Sequence, residues 1–102
     1  QGRIRVKYTL HPEARRDLRD AARFYRDHAG SARAQALLHE FEHSVELLLE
    51  YPELGSPWLF GKRRLLFRHF PFGLIYKLTD DRIRILAVAH LSRRQDYWRD
   101  RE

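Results

Sequence analysis

The sequence predicts an α+β fold, ordered β-α-α-β-β-β, with a helical hairpin packed on one face of a small, mainly antiparallel sheet. Three observations carry that prediction. Two stretches, residues 14–29 and 34–48, repeat apolar residues at helical spacing and are separated by Gly30-Ser31. Three apolar runs follow: Leu65–Phe70, Leu74–Leu78 and Ile83–Ala89. The short breaks between them contain Pro71-Phe72-Gly73 and Asp80-Asp81. Pro presets φ, Gly frees it and Asp satisfies local backbone donors, so these breaks read as the tight turns of an antiparallel meander. A chain of 102 residues suits one domain, residues 1–102, with a modest core.

The elements follow in order. Ile4-Arg5-Val6-Lys7-Tyr8-Thr9-Leu10 alternates apolar and polar residues with β-branched content, as a first strand does. In His11-Pro12-Glu13 the proline suits the first helical position, and the early Glu suits the helix dipole. Ala14, Leu18, Ala21, Ala22, Tyr25 and Ala29 form the apolar stripe of helix one, and Gly30 ends it. Ser31 is read as the cap of helix two, whose stripe is Ala34, Leu37, Leu38, Phe41, Val45 and Leu48, and Pro52 stops it. Both stripes are expected against the sheet, leaving its other face free. Glu53 to Gly61 reads as a loop pinned by Trp58, Leu59 and Phe60. After the meander, Arg93 to Trp98 reads as a short helical turn and Arg99 to Glu102 as a frayed end.

Composition narrows the function. The 43% hydrophobic content argues against disorder. With no cysteine there are no disulfides or thiolate metal sites, which suits a reducing cytosol. No apolar run nears the roughly 18 residues of a membrane span, and Gln1-Gly2-Arg3-Ile4 lacks the apolar region of a signal peptide. A cytoplasmic protein without a membrane role is the expectation. The net charge is +6, and residues 1–61 balance, so the whole excess lies in residues 62–102. That footprint attracts nucleic acid or an acidic protein. His39-Glu40-Phe41-Glu42-His43 matches H-E-x-x-H. Helical phase turns both His away from the apolar stripe, and no third ligand follows. Neither a metal nor another cofactor is therefore expected.

Several marks resemble the RelE/ParE superfamily of toxins from type II toxin–antitoxin systems. They are Pro12-Glu13-Ala14 with Asp17-Leu18, then Leu49-Glu50-Tyr51-Pro52-Glu53-Leu54-Gly55, then Arg64 opening the meander. Leu74-Ile75-Tyr76, Ile83-x-Ile85-Leu86-x-Val88-x-His90, and Arg93, Arg94, Tyr97 and Trp98 complete the set across nearly the whole chain. The resemblance implies a compact toxin neutralised by a cognate antitoxin that wraps it. RelE-like members cleave mRNA on the ribosome, whereas ParE-like members poison DNA gyrase without nuclease chemistry. The expectation is ribosome-dependent mRNA cleavage, with gyrase inhibition or a basic nucleic-acid-binding module as alternatives.

Metal-independent RNA cleavage needs a base, an acid and cations around the phosphorane. His90 carries a ring whose ordinary pKa, about 6.5, suits proton transfer; Arg93 and Tyr97 follow it closely. These are the candidate catalytic residues. Arg63, Arg64, Arg68 and Arg94 are candidates for binding RNA phosphate or an acidic antitoxin. Equally, Tyr97-Trp98 would serve as an aromatic lid on the core. By the resemblance, mRNA-cleaving members carry arginines where this chain has Gly73 and Leu91. Strands of about six residues, roughly 20 Å long, separate Arg64 from His90 unless the first meander strand is offset. That leaves His90, Arg93 and Tyr97 as the tighter cluster.

Overall fold

The computed structural model describes residues 6–102. Ile4 and Arg5 of the expected first strand lie outside these. The elements are β1 (Lys7–Leu10), α1 (Pro12–Ala29), α2 (Ser31–Glu50), β2 (Ser56–Pro57), β3 (Arg63–Leu66), β4 (Phe72–Leu78) and β5 (Arg82–His90). The two helices pack on a five-stranded mixed sheet ordered β1-β5-β4-β3-β2. β1 lies parallel to β5, because the helical hairpin carries the chain over one face before the sheet resumes; the other pairs are antiparallel. β2 is an addition to the expected order: two residues of the presumed loop pair with Arg63 and Arg64.

Both helical stripes face the sheet. Leu37, Phe41, Val45 and Leu48 of α2 share one core with Ala14 and Ala21 of α1 and with Leu74, Tyr76, Ile85 and Val88 of the sheet. The hairpin is tighter than expected. Gly30, at φ 98°, is the N-cap of α2 and Ser31 its first helical residue, with no side-chain cap bond. A left-handed φ is open to glycine at little cost, so a single residue reverses the chain.

The first meander turn is displaced from the expected place. β3 ends at Leu66, the turn spans residues 67–71, and Phe72 and Gly73 already belong to β4. The turn reads as strand because it is apolar for another reason. Phe67 and Phe70 are buried under the helices. The Glu40 carboxylate accepts the Arg68 and His69 backbone N–H groups. Arg33 stacks on Phe70 at 3.9 Å and donates to the His69 carbonyl.

The face expected to be free is partly covered. Ile75, Leu86, Ala87 and Trp98 form a second buried cluster, flanked by Trp58, Ala89 and Tyr97. That layer explains why β4 and β5 are continuous apolar runs rather than alternating ones: their centres are buried on both sides. Trp58 is half-buried, but Leu59 and Phe60 are exposed, so one of the three loop aromatics and aliphatics pins that segment.

Tyr76 fixes the segment after α2. Its side chain is fully buried, its hydroxyl donates to the Pro52 carbonyl at 2.7 Å, and it accepts the Gly55 N–H at 2.9 Å. A Cβ on Gly55 would stand 2.7 Å from that hydroxyl, which is why glycine is needed there.

The start of α1 carries a titratable cap. His11 caps it by accepting the Glu13 N–H on Nδ1 at 3.0 Å. Burial, then the charges of Arg84 and Arg101, lower the His11 pKa. A depressed folded pKa means that this contribution is complete above the unfolded value, about 6.5, and is lost as pH falls through the folded one. Urea midpoints should therefore decline on acidification in this range, and less so in His11→Asn, whose cap does not titrate. Parallel pH profiles of the two proteins would rule this out.

Candidate interaction site

Because β1 stops opposite Ile85, the outer edge of β5 from Leu86 to His90 has no strand beside it. Unpaired backbone groups on a buried edge are costly. A side-chain cluster, the Asp17 lock, replaces the strand. The Asp17 carboxylate on α1 accepts the Val88 N–H at 3.2 Å, the Tyr97 hydroxyl at 2.9 Å and the Arg101 guanidinium at 2.7 Å. Arg101 also donates to the Leu86 carbonyl at 2.9 Å. A bulge in β5 opposite Ile75 and Tyr76 places Leu86 and Ala87 both in the second cluster. The Asp17 and Arg101 side chains are only 8% and 13% exposed, so this is a buried ion pair.

This cluster decides what Tyr97 can do. Burial, then the charge and hydrogen bond of Asp17, push its phenol well above the usual range. The hydroxyl is a committed donor, and the aromatic-lid reading describes its packing. Burial works against the Arg101 charge, but the hydrogen bond and charge of Asp17 outweigh it and hold that guanidinium above its ordinary pKa. The tail expected to fray is thus tied down, with a further bond from Arg84 to the Glu102 carbonyl at 3.1 Å.

Beside the lock, the helix-free face carries arginines laid on aromatic rings. Arg64 lies 3.6 Å over Trp58, Arg93 3.7 Å over Tyr97 and Arg99 4.4 Å over Phe60. Leu59, Phe60, Leu66 and Leu91 stand exposed. Phe60 has φ 58°, a strained conformation for an aromatic residue. Aromatic side chains and arginine are enriched in protein-binding hot spots.

Arg64 comes nearer to the far end of β5 than full-length strands allow. β3 has only four residues and pairs near the start of β4, with Arg64 opposite Ile75 and Phe72 opposite His90. Arg64, His90 and Arg93 line one small cavity. Gly73 makes the path. A Cβ there would come within 3.2 Å of the Arg64 side chain, so the arginine stem runs where residue 73 would project its own.

Arg94 lines the same cavity, whereas Arg63 and Arg68 stand apart from it. His90 stands edge-on to Phe72, with Nδ1 accepting the Ser92 N–H at 3.0 Å. Arg93 stacks on Tyr97 and approaches Asp17 at 3.9 Å, whereas no bond joins His90 to Tyr97 among the described residues. Arg63 donates to the Gly55 and Glu53 carbonyls and braces the loop. Arg94 is exposed and paired with Asp96 at 2.8 Å. Arg68 is exposed on the opposite side, in a groove with Arg33 and His39. His39 and His43 are solvent-exposed, and among the described residues no three metal-ligating side chains stand together. Asp17 and Arg101, which build the lock, were not candidates. Asp17 carries a signal: it falls in phase with Ala14 and Ala21, a carboxylate on an apolar stripe. Arg101 carries none.

Comparison with known proteins places the fold and the family. Ten chains of solved structures match, among them one from the chromosomal ParDE TA system from P. aeruginosa. That match has 22% identity and a TM-score of 0.74, and covers 87% of this chain and 97% of that one. It supports the two-helix, five-strand fold. No helix among the described residues is long and apolar enough to cross a membrane. A search of curated proteins returns no match. The model of the family described as ParE toxin of type II toxin-antitoxin system, parDE, matches residues 8–97, and the chain belongs to that family.

Proposed function

We propose that this toxin arrests growth by binding DNA gyrase as a non-catalytic inhibitor, and that a cognate antitoxin neutralises it. The observation that carries this reading is the bond from the Tyr97 hydroxyl to the buried Asp17 carboxylate. Ribonuclease chemistry needs a free proton donor or acceptor beside unengaged cations. Here the tyrosine is spent on the lock, Arg63 on loop carbonyls, and residue 73 is a glycine filled by the Arg64 stem. What faces solvent is an arginine-and-aromatic surface suited to protein contact. Membership of the ParE family favours the same target over ribosome-dependent mRNA cleavage.

Purified protein should inhibit supercoiling by gyrase, and 5′-end mapping after induction should reveal no new mRNA ends. Tyr97→Phe keeps the ring and its Arg93 partner and loses one hydrogen bond, worth about 1 kcal/mol. It should remain folded and toxic. A folded, non-toxic Tyr97→Phe protein together with new mRNA ends from the parent would replace gyrase by RNA as the target.

A further inference from the structure

The cavity lined by Trp58, Trp98, Arg64, Ile75, Ala89 and Arg93 carries an unexplained feature. The Nε1 atoms of both tryptophans are buried and find no acceptor among the described residues. Trp98 is 1% exposed. Buried N–H donors are rarely left unpaired, since each costs free energy comparable with a lost hydrogen bond. Here both belong to tryptophans that line one cavity, with the Arg64 guanidinium stacked on the face of one indole.

We propose that this cavity is a carboxylate-binding slot that receives an Asp or Glu side chain from an acidic protein segment. The cavity holds about 20 Å³, room for one oxygen-sized guest. One oxygen of a planar carboxylate enters between the indole N–H groups, while the other meets Arg64. Charge-assisted bonds of this kind are short and strong. The Arg64 side chain is the movable wall. Its stem slides over Gly73, the one place on β4 where no Cβ blocks it, and lifting its guanidinium from Trp58 opens the slot. Ile75 and Ala89 give the slot an apolar floor. A tetrahedral phosphate would press its remaining oxygens against that floor unpaired, so the slot favours carboxylate. The +6 excess of residues 62–102 supplies the complementary field. The proposal does not depend on gyrase being the target.

The test uses the whole protein. Trp58 and Trp98 are its only two tryptophans, so both indole N–H resonances in a 15N spectrum report on the slot. A short capped peptide of alternating Glu and Leu is titrated against its Gln counterpart, inorganic phosphate and a single-stranded RNA oligonucleotide. Both indole resonances should move downfield together and saturate with the Glu peptide, and not with the Gln peptide. Arg64→Gln should weaken the Glu peptide about tenfold. Gly73→Ala, which removes no donor and displaces only a flexible stem, should weaken it as well. Trp58→Phe deletes one resonance and assigns the other. Unmoved indoles, an equal response to the Gln peptide, or a stronger response to phosphate or RNA would each overturn the proposal.

Discussion

Asp17→Ala should destabilise the protein by about 3–5 kcal/mol in urea melts. The carboxylate has three partners at once: the Val88 N–H, the Tyr97 hydroxyl and the Arg101 guanidinium. Its removal leaves a cation and a phenol buried without their acceptor and reopens the β5 edge. A buried charge stripped of its counter-charge is far more damaging than a surface pair, which is worth about 0–1 kcal/mol. Asp17→Asn keeps an oxygen for two of the donors and should recover part of the loss. Hydrogen exchange gives a second readout, because amides from Leu86 to His90 should lose protection before those of β4. A loss under about 1 kcal/mol would show that the C-terminal segment contributes no lock.

Phe41→Ala is the second large effect, also about 3–5 kcal/mol. Phe41 is 7% exposed at the middle of α2 and shares the core with Leu37, Val45 and the inner side chains of β4 and β5. Truncating the ring leaves a cavity between a helix and a sheet, two rigid elements that relax little toward each other. The loss should appear in the urea midpoint with the slope nearly unchanged, since the surface exposed on unfolding hardly alters. A cost below about 1 kcal/mol would mean that the helix turns a different face to the sheet.

The two experiments separate hydrophobic burial from hydrogen bonding. The hairpin core is a matter of hydrophobic burial, and any apolar set of similar volume would sustain it. The Asp17 lock is a matter of hydrogen-bond geometry: it engages a β5 edge that β1 leaves bare, and it draws Tyr97 away from proton-transfer chemistry. The same tyrosine that suggests a ribonuclease in the linear chain is, in space, part of the fold.

The amino-acid sequence by itself determined the α+β class, the two helices and the faces they bury, because period and glycine or proline punctuation are local properties. It also determined that the positive charge gathers in residues 62–102, since charge is additive along the chain. The displaced turn at residues 67–71 was not legible, because Phe67 and Phe70 are apolar for packing under α2 rather than for strand pairing. Nor was β2, whose two residues have no periodicity to display. Only the tertiary structure decided the site. Asp17 and Arg101 stand far apart in the chain and meet because the parallel β1 ends early and leaves an edge that must be satisfied. Arg64 joins His90 and Arg93 around one cavity because β3 is short and Gly73 leaves room for its stem. Strand offset and the volume left free at a glycine are set by packing between distant segments, and no local pattern encodes them.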